Sequence, residues 1–376
     1  MTATIIGAAA ASIWLYLIAF HGRFWWVRQQ AVAVSAAPRR SIVAVIPARD
    51  EEAVIGRAVA SLMAQRYPGP FHVVVVDDQS SDGTAAAARA VAAGRPDRLT
   101  VAAGQPVPAG WTGKLWAVRQ GIEIACRWRP DYLLLTDADI VHAPDSLSEL
   151  VARAETGNYD LVSLMVRLHC RSLSERLLIP AFVFFFFKLY PPRLVADPAR
   201  RTAAAAGGCM LIRRNTLERI GGVDSIRHEI IDDCALARRV KAVGAVWLGA
   251  AGATSSIREY RSWRPIWDMI ARCAFAQLGY SAVALVASVA LMLVMYVAPP
   301  LLLLSGASAG RALGATAWLG MSLAFLPILR SYRCPAVLAP LLPGIALFYT
   351  AATVASAILF WRGRGGYWKG RFQAAA

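Results

Sequence analysis

Between residues 41 and 250, short apolar runs alternate with longer stretches of small and helix-forming residues. Apolar runs of this kind, bounded by polar turns and separated by helical stretches, are typical of βαβ units with a parallel sheet. We therefore predict strands at residues 41–46, 72–77, 99–102, 132–136, 160–167, 209–212 and 247–250. Helices are predicted at residues 53–65, 84–93, 114–126 and 213–220, and from residue 232 onward.

Acidic residues follow two of the predicted strands. Asp77 and Asp78 end the second run, and Asp137 and Asp139 directly follow the run at Tyr132–Thr136. Because the strands of a parallel α/β sheet end at the edge where ligands bind, we expect these side chains to share one site. A pair of carboxylates there can hold a hard divalent cation and the phosphate that accompanies it. The alternative is an ordinary acidic turn, since Asp-x-Asp is a common sequence.

Uncharged stretches flank the region of predicted strands. Residues 3–20 hold no charge and approach the roughly 20 residues that a helix needs to cross a bilayer. Arg23, Trp25, Trp26 and Arg28 follow this stretch, whereas a signal peptide carries its basic residues before the apolar run. We therefore predict an uncleaved anchor with its N-terminus outside and its basic flank on the cytoplasmic side.

Three further apolar spans are predicted at residues 281–304, 312–329 and 337–360, and a basic tail follows them. If the strand region is cytoplasmic, three complete passes put this tail outside, which conflicts with the positive-inside rule. An even number of passes would put the tail inside. The prolines at 299–300, or those at 340 and 343, are places where a span could break, and the sequence leaves both counts open.

The apolar segment from Leu173 to Tyr190 is bracketed by Pro180 near its start and by prolines at 191 and 192. We consider it too short to cross a bilayer comfortably. We predict an interfacial helix that lies against the membrane or shapes an apolar slot for an acceptor. A buried core helix is the alternative.

Composition narrows the class of protein. The chain is 57% hydrophobic with a mean hydropathy of +0.45, which is too apolar for a purely soluble enzyme. The formal net charge of +16 suits anionic lipid, phosphorylated substrates or nucleic acid. No nucleic-acid-binding module is recognisable, so we place nucleic acid last and predict no such partner. The scattered histidines and cysteines form no HExxH or CxxC pattern, which argues against a zinc site.

These observations predict the organisation of the whole chain. The predicted segments are an N-terminal anchor (1–29), an α/β domain (41–257), a basic and aromatic interfacial segment (258–280), a transmembrane region (281–361) and a basic tail (362–376).

The acids at the strand ends meet the requirements of sugar transfer from a nucleotide donor. The leaving nucleoside diphosphate needs a divalent metal or fixed cations. Inversion at the anomeric carbon needs a carboxylate that takes the acceptor proton. We predict Asp77 or Asp78 for the nucleobase, Asp139 and Asp137 for Mg²⁺ or Mn²⁺ with Asp137 nearer the sugar, Lys114 for phosphate, and Asp232 or Asp233 as the base.

Each of these assignments has an ordinary structural alternative. Lys114 could be a solvated helix residue, and Asp233 could be an acid that simply favours a helix N-terminus. Arg261 and Arg264 could contact only lipid headgroups.

Four motifs in order resemble the family 2 glycosyltransferases of the GT-A fold. They are Val45-Ile-Pro47-Ala-Arg49-Asp-Glu51-Glu52, then Val76-Asp77-Asp78-x-Ser-x-Asp82-Gly83-Thr84, then Asp137-Ala-Asp139, then Asp232-Asp233. The resemblance covers about residues 41–275. It implies a Rossmann-like, mostly parallel sheet, an inverting transferase, a nucleotide-sugar donor (a UDP- or GDP-sugar) and a divalent metal.

Three further sequences are similar to the hopene-associated subgroup of that family. They are Gly110-Trp-Thr-Gly-Lys114, Gly207-Gly208-Cys-Met and Trp368-Lys-Gly-Arg371. This similarity implies a lipid acceptor, such as a hopanoid or another isoprenoid. It also implies a multi-pass protein of the inner (cytoplasmic) membrane whose catalytic domain is cytoplasmic.

The resemblance also assigns roles to single residues. The nucleobase-binding acid falls on Asp77 or Asp78, the metal-binding Asp-x-Asp on Asp137 and Asp139, and the base on Asp233. Further donor-binding residues are expected at Pro47, Arg49, Glu51 and Lys114, and at Arg261, Arg264 or Arg272 for the diphosphate.

The sequence departs from the family pattern at two places. The pair Asp232-Asp233 stands where the family usually has Glu-Asp, and the Gln-x-x-Arg-Trp motif of processive members is missing. The nearest match, Arg261-Ser-Trp-Arg264, lacks the final Trp. This departure and the small number of spans argue against a processive polysaccharide synthase, which is one alternative. A non-catalytic membrane scaffold that binds nucleotide is the other.

Overall fold

The computed structural model describes residues 1–26, 39–91, 96–367 and 369–371. The chain forms two compact units. A sheet unit comprises residues 28–169 and 194–258, and a helical unit comprises residues 1–27, 170–193 and 259–376. Arg28 of the predicted basic flank and Trp368 of the predicted tail motif lie outside the described residues.

The sheet unit is built around an eight-stranded sheet with the strand order β3-β2-β1-β4-β7-β6-β8-β5. The strands are β1 (Ile42–Ala48), β2 (Phe71–Asp77), β3 (Leu99–Ala103), β4 (Tyr132–Thr136), β5 (Ile140–Val141), β6 (Leu161–Arg167), β7 (Cys209–Arg213) and β8 (Val246–Ser256). The predicted mixed α/β fold with a mostly parallel sheet is confirmed. β1 pairs in parallel with β2 and β4, β2 with β3, and β6 with β8, whereas β7 runs antiparallel to both of its neighbours.

The central strands are buried along their whole length. Every residue of β1 and of β4 is buried, which explains why both read as continuous apolar runs rather than as alternating patterns. Helices of the sheet unit cover the sheet, as the βαβ pattern predicts. They are α2 (Glu52–Met63), α3 (Thr84–Ala90), α4 (Gly113–Ala125), α5 (Ser146–Thr156), α8 (Arg214–Arg219) and α9 (Asp232–Lys241), numbered in chain order through both units.

The last strand of the sheet unit is longer than predicted. The apolar run at residues 247–250 predicts only its first half, but β8 continues through small and polar residues to Ser256. The short strand β5 pairs with that second half, with Ile140 opposite Ser256. Residues 251–256 lack the apolar alternation that marks a strand, so the sequence pattern gave no signal for them.

The remaining helices belong to the helical unit, apart from α7, whose last three residues belong to the sheet unit. They are α1 (Thr2–Ala19), α6 (Leu173–Leu189), α7 (Pro192–Ala196), α10 (Trp263–Gln277), α11 (Ala282–Met292), α12 (Ala298–Leu302), α13 (Ser308–Ser331) and α14 (Leu342–Trp361). Among the described residues, five helical segments are long and apolar enough to cross a membrane: Thr2–Ala19, Leu173–Ala196, Ala282–Leu302, Ser308–Ser331 and Ala336–Trp361. The predicted N-terminal span and the three C-terminal spans are among them.

Irregular helical turns occur in two of the apolar spans, near the prolines where the sequence indicates a possible break. A π-helical stretch at Leu293–Val297 separates α11 from α12, directly before Pro299. A 3₁₀ stretch at Ala336–Leu341, with Pro340 inside it, leads into α14. Proline removes a backbone donor and clashes with the preceding turn, which explains why the regular α-helical hydrogen bonding is interrupted before Pro299 and around Pro340.

The segment from Leu173 to Tyr190 differs from its prediction in length. Together with α7 it reaches 24 residues, so the expectation that it is too short to span is wrong. Its side chains pack inside the helical unit, where Phe184 contacts Phe325 of α13 at 5.3 Å between ring centroids. The Tyr349 hydroxyl of α14 donates to the Leu178 carbonyl oxygen at 2.8 Å. These contacts favour the alternative of a buried helix.

Chain connectivity limits what this segment can do in a membrane. It leaves the sheet unit after β6 and returns to β7, and these two strands pair with each other in one sheet. A single complete crossing would put paired strands on opposite sides of the membrane. The segment therefore does not cross once, although its length and composition would allow it.

Close packing of α4 on the sheet generates a stability test. A Cβ added at Gly121 of α4 would lie 2.4 Å from Val45 Cγ1 and 3.2 Å from Val76 Cγ2. At Gly56 of α2, the nearest atom would be the Ala87 carbonyl oxygen, at an ordinary 3.6 Å. We expect Gly121→Ala to destabilise the protein by about 1–3 kcal/mol through overpacking.

Gly56→Ala is the matched control, because it should only add helix propensity and raise stability by up to about 1 kcal/mol. Thermal unfolding of both variants in the same detergent measures the difference. An equal rise in the midpoint for both would contradict the close contact at Gly121.

Candidate active site

The carboxyl ends of β1, β2 and β4 meet at one edge of the sheet. Pro47 stands opposite Val76 and Ala48 opposite Asp77 in the parallel register. Asp78 and Asp137 are the residues that follow β2 and β4. The expectation that the acids after these strands share one edge therefore agrees with the strand register.

Lys114 lies among the acids of this edge. The Thr112 side chain caps α4 by accepting from the Leu115 N–H, which places Lys114 in the first turn. Its Nζ lies 3.0 Å from Asp137 Oδ1 and 3.2 Å from Asp232 Oδ2. Burial alone would lower the pKa of the Lys114 ammonium, but the carboxylates of Asp137, Asp232 and Asp233 together raise it above its usual value. Lys114 is therefore a charged bridge between two motifs that lie about a hundred residues apart in the sequence, rather than a solvated helix residue.

Asp233 is fixed by two backbone donors. Its Oδ2 accepts from the Gly207 N–H at 2.8 Å and its Oδ1 from the Cys234 N–H at 2.7 Å. Burial and the neighbouring Asp232 carboxylate raise the pKa of Asp233 to about 6, against the opposing effect of Lys114 and the two N–H groups. A carboxyl with its pKa near neutrality is suited to exchange a proton at physiological pH.

A small cavity brings the predicted residues together. Its lining includes Pro47, Lys114, Asp137, Gly207 and Asp232. A Cβ at Gly207 would come within 3.3 Å of Asp233 Oδ2 and 3.4 Å of Lys114 Nζ, so the glycine keeps the space beside both groups open. Residues from five separate motifs of the sequence therefore face one cavity.

Arg258 is the main residue of this edge that the sequence analysis missed. Its Nε donates to Asp139 Oδ2 at 3.1 Å, and its Nη2 donates to Glu51 Oε1 at 2.6 Å. Ser256 Oγ donates to the same Asp139 oxygen at 2.8 Å. The sequence pattern places position 258 at the start of the basic segment, because the predicted strand before it ends at Ala250.

The two candidate nucleobase acids differ in exposure. Asp78 is 0% exposed, and Arg49 Nη1 donates to its carbonyl oxygen at 2.6 Å and lies 4.0 Å from its Oδ2. Asp77 is half-buried, and its Oδ1 accepts from the Ser80 N–H at 3.2 Å. Asp77 is therefore the more accessible of the pair.

Three predicted donor-binding arginines belong to the helical unit. Arg264 and Arg272 lie on α10, and Arg261 precedes that helix with a side chain that is 90% exposed. The Arg261 guanidinium lies 3.3 Å from Glu259 Oε2, and the Arg264 guanidinium lies over the Trp263 ring. Their role in binding a diphosphate stays a prediction.

The acids of the sheet edge fit a divalent metal that comes with a substrate. Across the described ranges, no group of three or more His, Cys, Asp or Glu side chains is arranged to hold a metal ion. Asp137 and Asp139 each form an ion pair in the structure, with Lys114 and Arg258 respectively, so a metal ion would have to take the place of these cations. Mg²⁺ binds through one or two carboxylates and completes its shell with substrate phosphates and water, and carboxylates also suit Mn²⁺.

A solved structure resembles this chain over almost its whole length. It is the mannosyltransferase PcManGT from Pyrobaculum calidifontis, determined in complex with GDP-Man and Mn²⁺. The TM-score is 0.58 at 20% identity, covering 95% of this chain and 97% of that one. At this identity the likeness establishes the fold alone.

Sequence relatives are found in Staphylococcus aureus. A 4,4'-diaponeurosporenoate glycosyltransferase of strain bovine RF122 / ET3-1 is 37% identical over 101 residues, and that of strain MRSA252 is 36% identical over 101 residues. The matched segment is 27% of this chain and 24% of each relative, so only a quarter of their length is shared.

A family model covers the larger part of the chain. The model, described as "Glycosyltransferase like family 2", matches residues 38–272, which is more than half of the sequence and includes all four acidic motifs. The chain therefore belongs to glycosyltransferase family 2.

Proposed function

We propose that this protein is an inverting glycosyltransferase that moves one sugar from a nucleotide donor to a lipid acceptor at the membrane face. The observation that carries the proposal is the Lys114 bridge. It joins Asp137, on the proposed donor side, to the Asp232-Asp233 pair, on the proposed acceptor side, within one cavity. We propose that the sheet unit lies in the cytoplasm, where nucleotide sugars are made, with the helical unit in the inner membrane.

Asp233 is the proposed general base. The acceptor hydroxyl gives its proton to the Asp233 carboxylate while its oxygen attacks the anomeric carbon of the sugar. The bond from that carbon to the diphosphate oxygen breaks, and its electron pair leaves with the nucleoside diphosphate. Attack from the side opposite the leaving group inverts the configuration. The Gly207 and Cys234 N–H groups hold the carboxylate in place for this transfer.

The donor is held by the ends of three strands. Asp77, the more accessible acid, accepts from a nucleobase N–H in the proposed arrangement. Arg258 and Lys114 supply fixed positive charge for the diphosphate. Asp139 and Asp137 would hold Mg²⁺ or Mn²⁺, which when bound stabilises the negative charge of the leaving diphosphate.

The lipid nature of the acceptor is inferred from two observations. The helical unit has segments long and apolar enough to cross a membrane, so the enzyme meets acceptors at a lipid surface. The relatives from Staphylococcus aureus are named for glycosylating 4,4'-diaponeurosporenoate, an isoprenoid acid. We therefore propose an isoprenoid-type acceptor for this chain, with a hopanoid as the candidate that its subgroup motifs predict.

The first test compares base variants in a transfer assay. Protein in lipid nanodiscs is incubated with UDP- and GDP-sugars, Mn²⁺ and a bacterial lipid extract, and glycolipid is measured by mass spectrometry. We expect Asp233→Asn to lower the rate by about 10²–10⁴-fold, because an amide cannot take the acceptor proton. Asp145→Asn is the matched control, since Asp145 forms an exposed ion pair with Arg66 and should keep the wild-type rate.

The same assay separates the alternatives and tests the pKa. Single additions support the proposal, a ladder of sizes would indicate a processive synthase, and nucleotide binding without turnover would indicate a scaffold.

Because the base must be deprotonated, the wild-type rate should fall about tenfold per pH unit below pH 6 and level off above it. A rate that is flat from pH 5 to pH 8 would contradict the assignment of Asp233.

Metal removal provides a second test. We expect EDTA to abolish transfer and Mn²⁺ or Mg²⁺ to restore it, since Asp139 and Asp137 would hold the ion.

A donor at 100 times its dissociation constant should stabilise the folded protein by about 2.7 kcal/mol, which thermal unfolding detects. Asp139→Asn should lose the metal-dependent part of this stabilisation, whereas Asp145→Asn should retain it. Equal stabilisation in both variants would rule out Asp139 as a metal ligand.

The contacts of Arg258 generate a third test. Its guanidinium compensates Asp139 and Glu51, whose side chains are each 10% exposed. Removing it leaves two largely buried carboxylates without their cation, so Arg258→Met should lower stability by about 1–3 kcal/mol without ligand. Arg261→Met is the control, because its side chain is 90% exposed. Thermal midpoints that fall equally in both variants would contradict the structural importance of Arg258.

A further inference from the structure

A buried histidine lies behind the acidic edge of the sheet. His142 follows β5, and 3% of its surface is exposed. Its Nε2 lies 3.0 Å from the hydroxyl oxygen of Thr136, and that hydroxyl lies 2.7 Å from the carbonyl oxygen of Gly208. A carbonyl can only accept, so the single hydroxyl proton of Thr136 goes to Gly208. The hydroxyl oxygen must then accept from His142, which fixes the ring as the Nε2–H tautomer.

The His142 ring carries no charge, and only one of its two nitrogen atoms forms a hydrogen bond. Burial lowers the pKa of His142 to about 4, so it is neutral at physiological pH. Within the described part of the chain, Nδ1 is buried and has no hydrogen-bond partner. The imidazole thus acts at one atom, as a donor to Thr136.

The hydrogen bonds of His142 and Thr136 connect the donor side of the proposed site to its acceptor side. Thr136 is directly followed by Asp137, the acid on the donor side. Gly208 is directly preceded by Gly207, whose N–H holds the Asp233 carboxylate at 2.8 Å. His142 is therefore connected through one hydroxyl to the strand end that carries Asp137 and to the turn that holds Asp233.

The backbone ladder alone does not hold that turn. The antiparallel pairing of β4 with β7 ends at Thr136 opposite Cys209, so Gly207 and Gly208 lie beyond the last paired residue. Neither glycine has a side chain that could fix the turn by packing. The Thr136 hydroxyl bridges the gap between the strand end and the Gly208 carbonyl, and His142 sets the direction in which that hydroxyl points.

We propose that His142 is a positioning residue that acts through Thr136 and the Gly207–Gly208 turn to fix the distance between Asp137 and the base Asp233. The inference rests on the proposed function, because it assigns these two acids to the donor and acceptor sides of one reaction. His142 contacts neither acid directly, so its effect is on the geometry of the site and not on the chemistry itself. Displacing reacting groups by about 1 Å can cost on the order of 100-fold in rate.

The variants separate the donor function of the ring from its volume. His142→Leu fills the space without a donor, whereas His142→Gln offers an amide N–H near the place of Nε2. Thr136→Val keeps the shape of threonine and removes the hydroxyl. The double variant with His142→Leu and Thr136→Val tests whether the two side chains act as one unit, because contacts in series give non-additive effects.

The expected pattern lies in the split between kcat and KM. We expect kcat to fall on the order of 10–100-fold in His142→Leu and Thr136→Val, with the donor KM changed much less. His142→Gln should recover most of the lost rate, and the double variant should be no slower than the slower single variant. Histidine ¹⁵N spectra of the wild type, assigned by comparison with His142→Gln, should show the Nε2–H tautomer at this position.

Several results would overturn the proposal. They are wild-type kcat in His142→Leu, a double variant whose losses multiply, or equal kcat losses in His142→Gln and His142→Leu that follow their losses in thermal midpoint. A protonated ring or the Nδ1–H tautomer would also overturn it. Failure of the proposed function looks different, since the wild type and Asp233→Asn would then be equally inactive while the ¹⁵N spectra still report on His142.

Discussion

Repulsion among carboxylates at one edge of the sheet is the constraint on which the site depends. The side chains of Glu51, Asp139 and Asp232 are 10–16% exposed, and the carboxylates of Asp137 and Asp233 lie beside them. Acids grouped this closely and shielded from water would repel one another unless cations lie between them. Lys114 and Arg258 supply those cations, one joining the β4 end to α9 and the other joining Asp139 to Glu51. The edge therefore divides into two halves, each with one cation among at least two acids, and each half includes one acid of Asp137-Ala-Asp139.

The apolar pattern predicted most of the sheet because its central strands are buried on both faces. A strand covered by helices must be apolar at every position, so β1, β2 and β4 stand out in the sequence. The second half of β8 lies beside the two-residue strand β5 at the border of the sheet, and small and polar residues suffice there. The course of segment 173–196 could not be read from the sequence for a different reason. Composition shows that it is apolar, but only the pairing of β6 with β7 shows that it leaves and re-enters the same unit.

Residues of the candidate site were predictable from the sequence where they belong to a local motif. They were not predictable where only the fold determines which residue contacts the site. Asp137, Asp232 and Lys114 each belong to a short motif, and the structure brings them to one cavity. Arg258 differs from the many other basic residues in that it contacts Asp139, because β8 runs parallel to β6 and ends beside that acid. His142 carries no motif at all, since its importance comes from the Thr136 hydroxyl and from a glycine turn 66 residues further along the chain. The resemblance to the family assigns the diphosphate to Arg261, Arg264 or Arg272, and this assignment stays a prediction, because basic residues before a membrane span occur whether or not they bind a donor.

The two cations also explain why an anionic donor and a divalent ion suit this edge together. A diphosphate that binds Arg258 and Lys114 competes with the acids that these cations compensate in the structure. If the diphosphate came alone, the freed carboxylates and the phosphates would repel one another at close range. In the proposed function, Asp139 and Asp137 would hold a divalent cation through their carboxylate oxygens, and its charge would reduce that repulsion. The salt bridges of Arg258 and Lys114 are thus consistent with a site that exchanges its internal cation partners for a metal-bound donor. The turn that accepts from Thr136 also donates to Asp233, so the proposed base is held independently of these salt bridges.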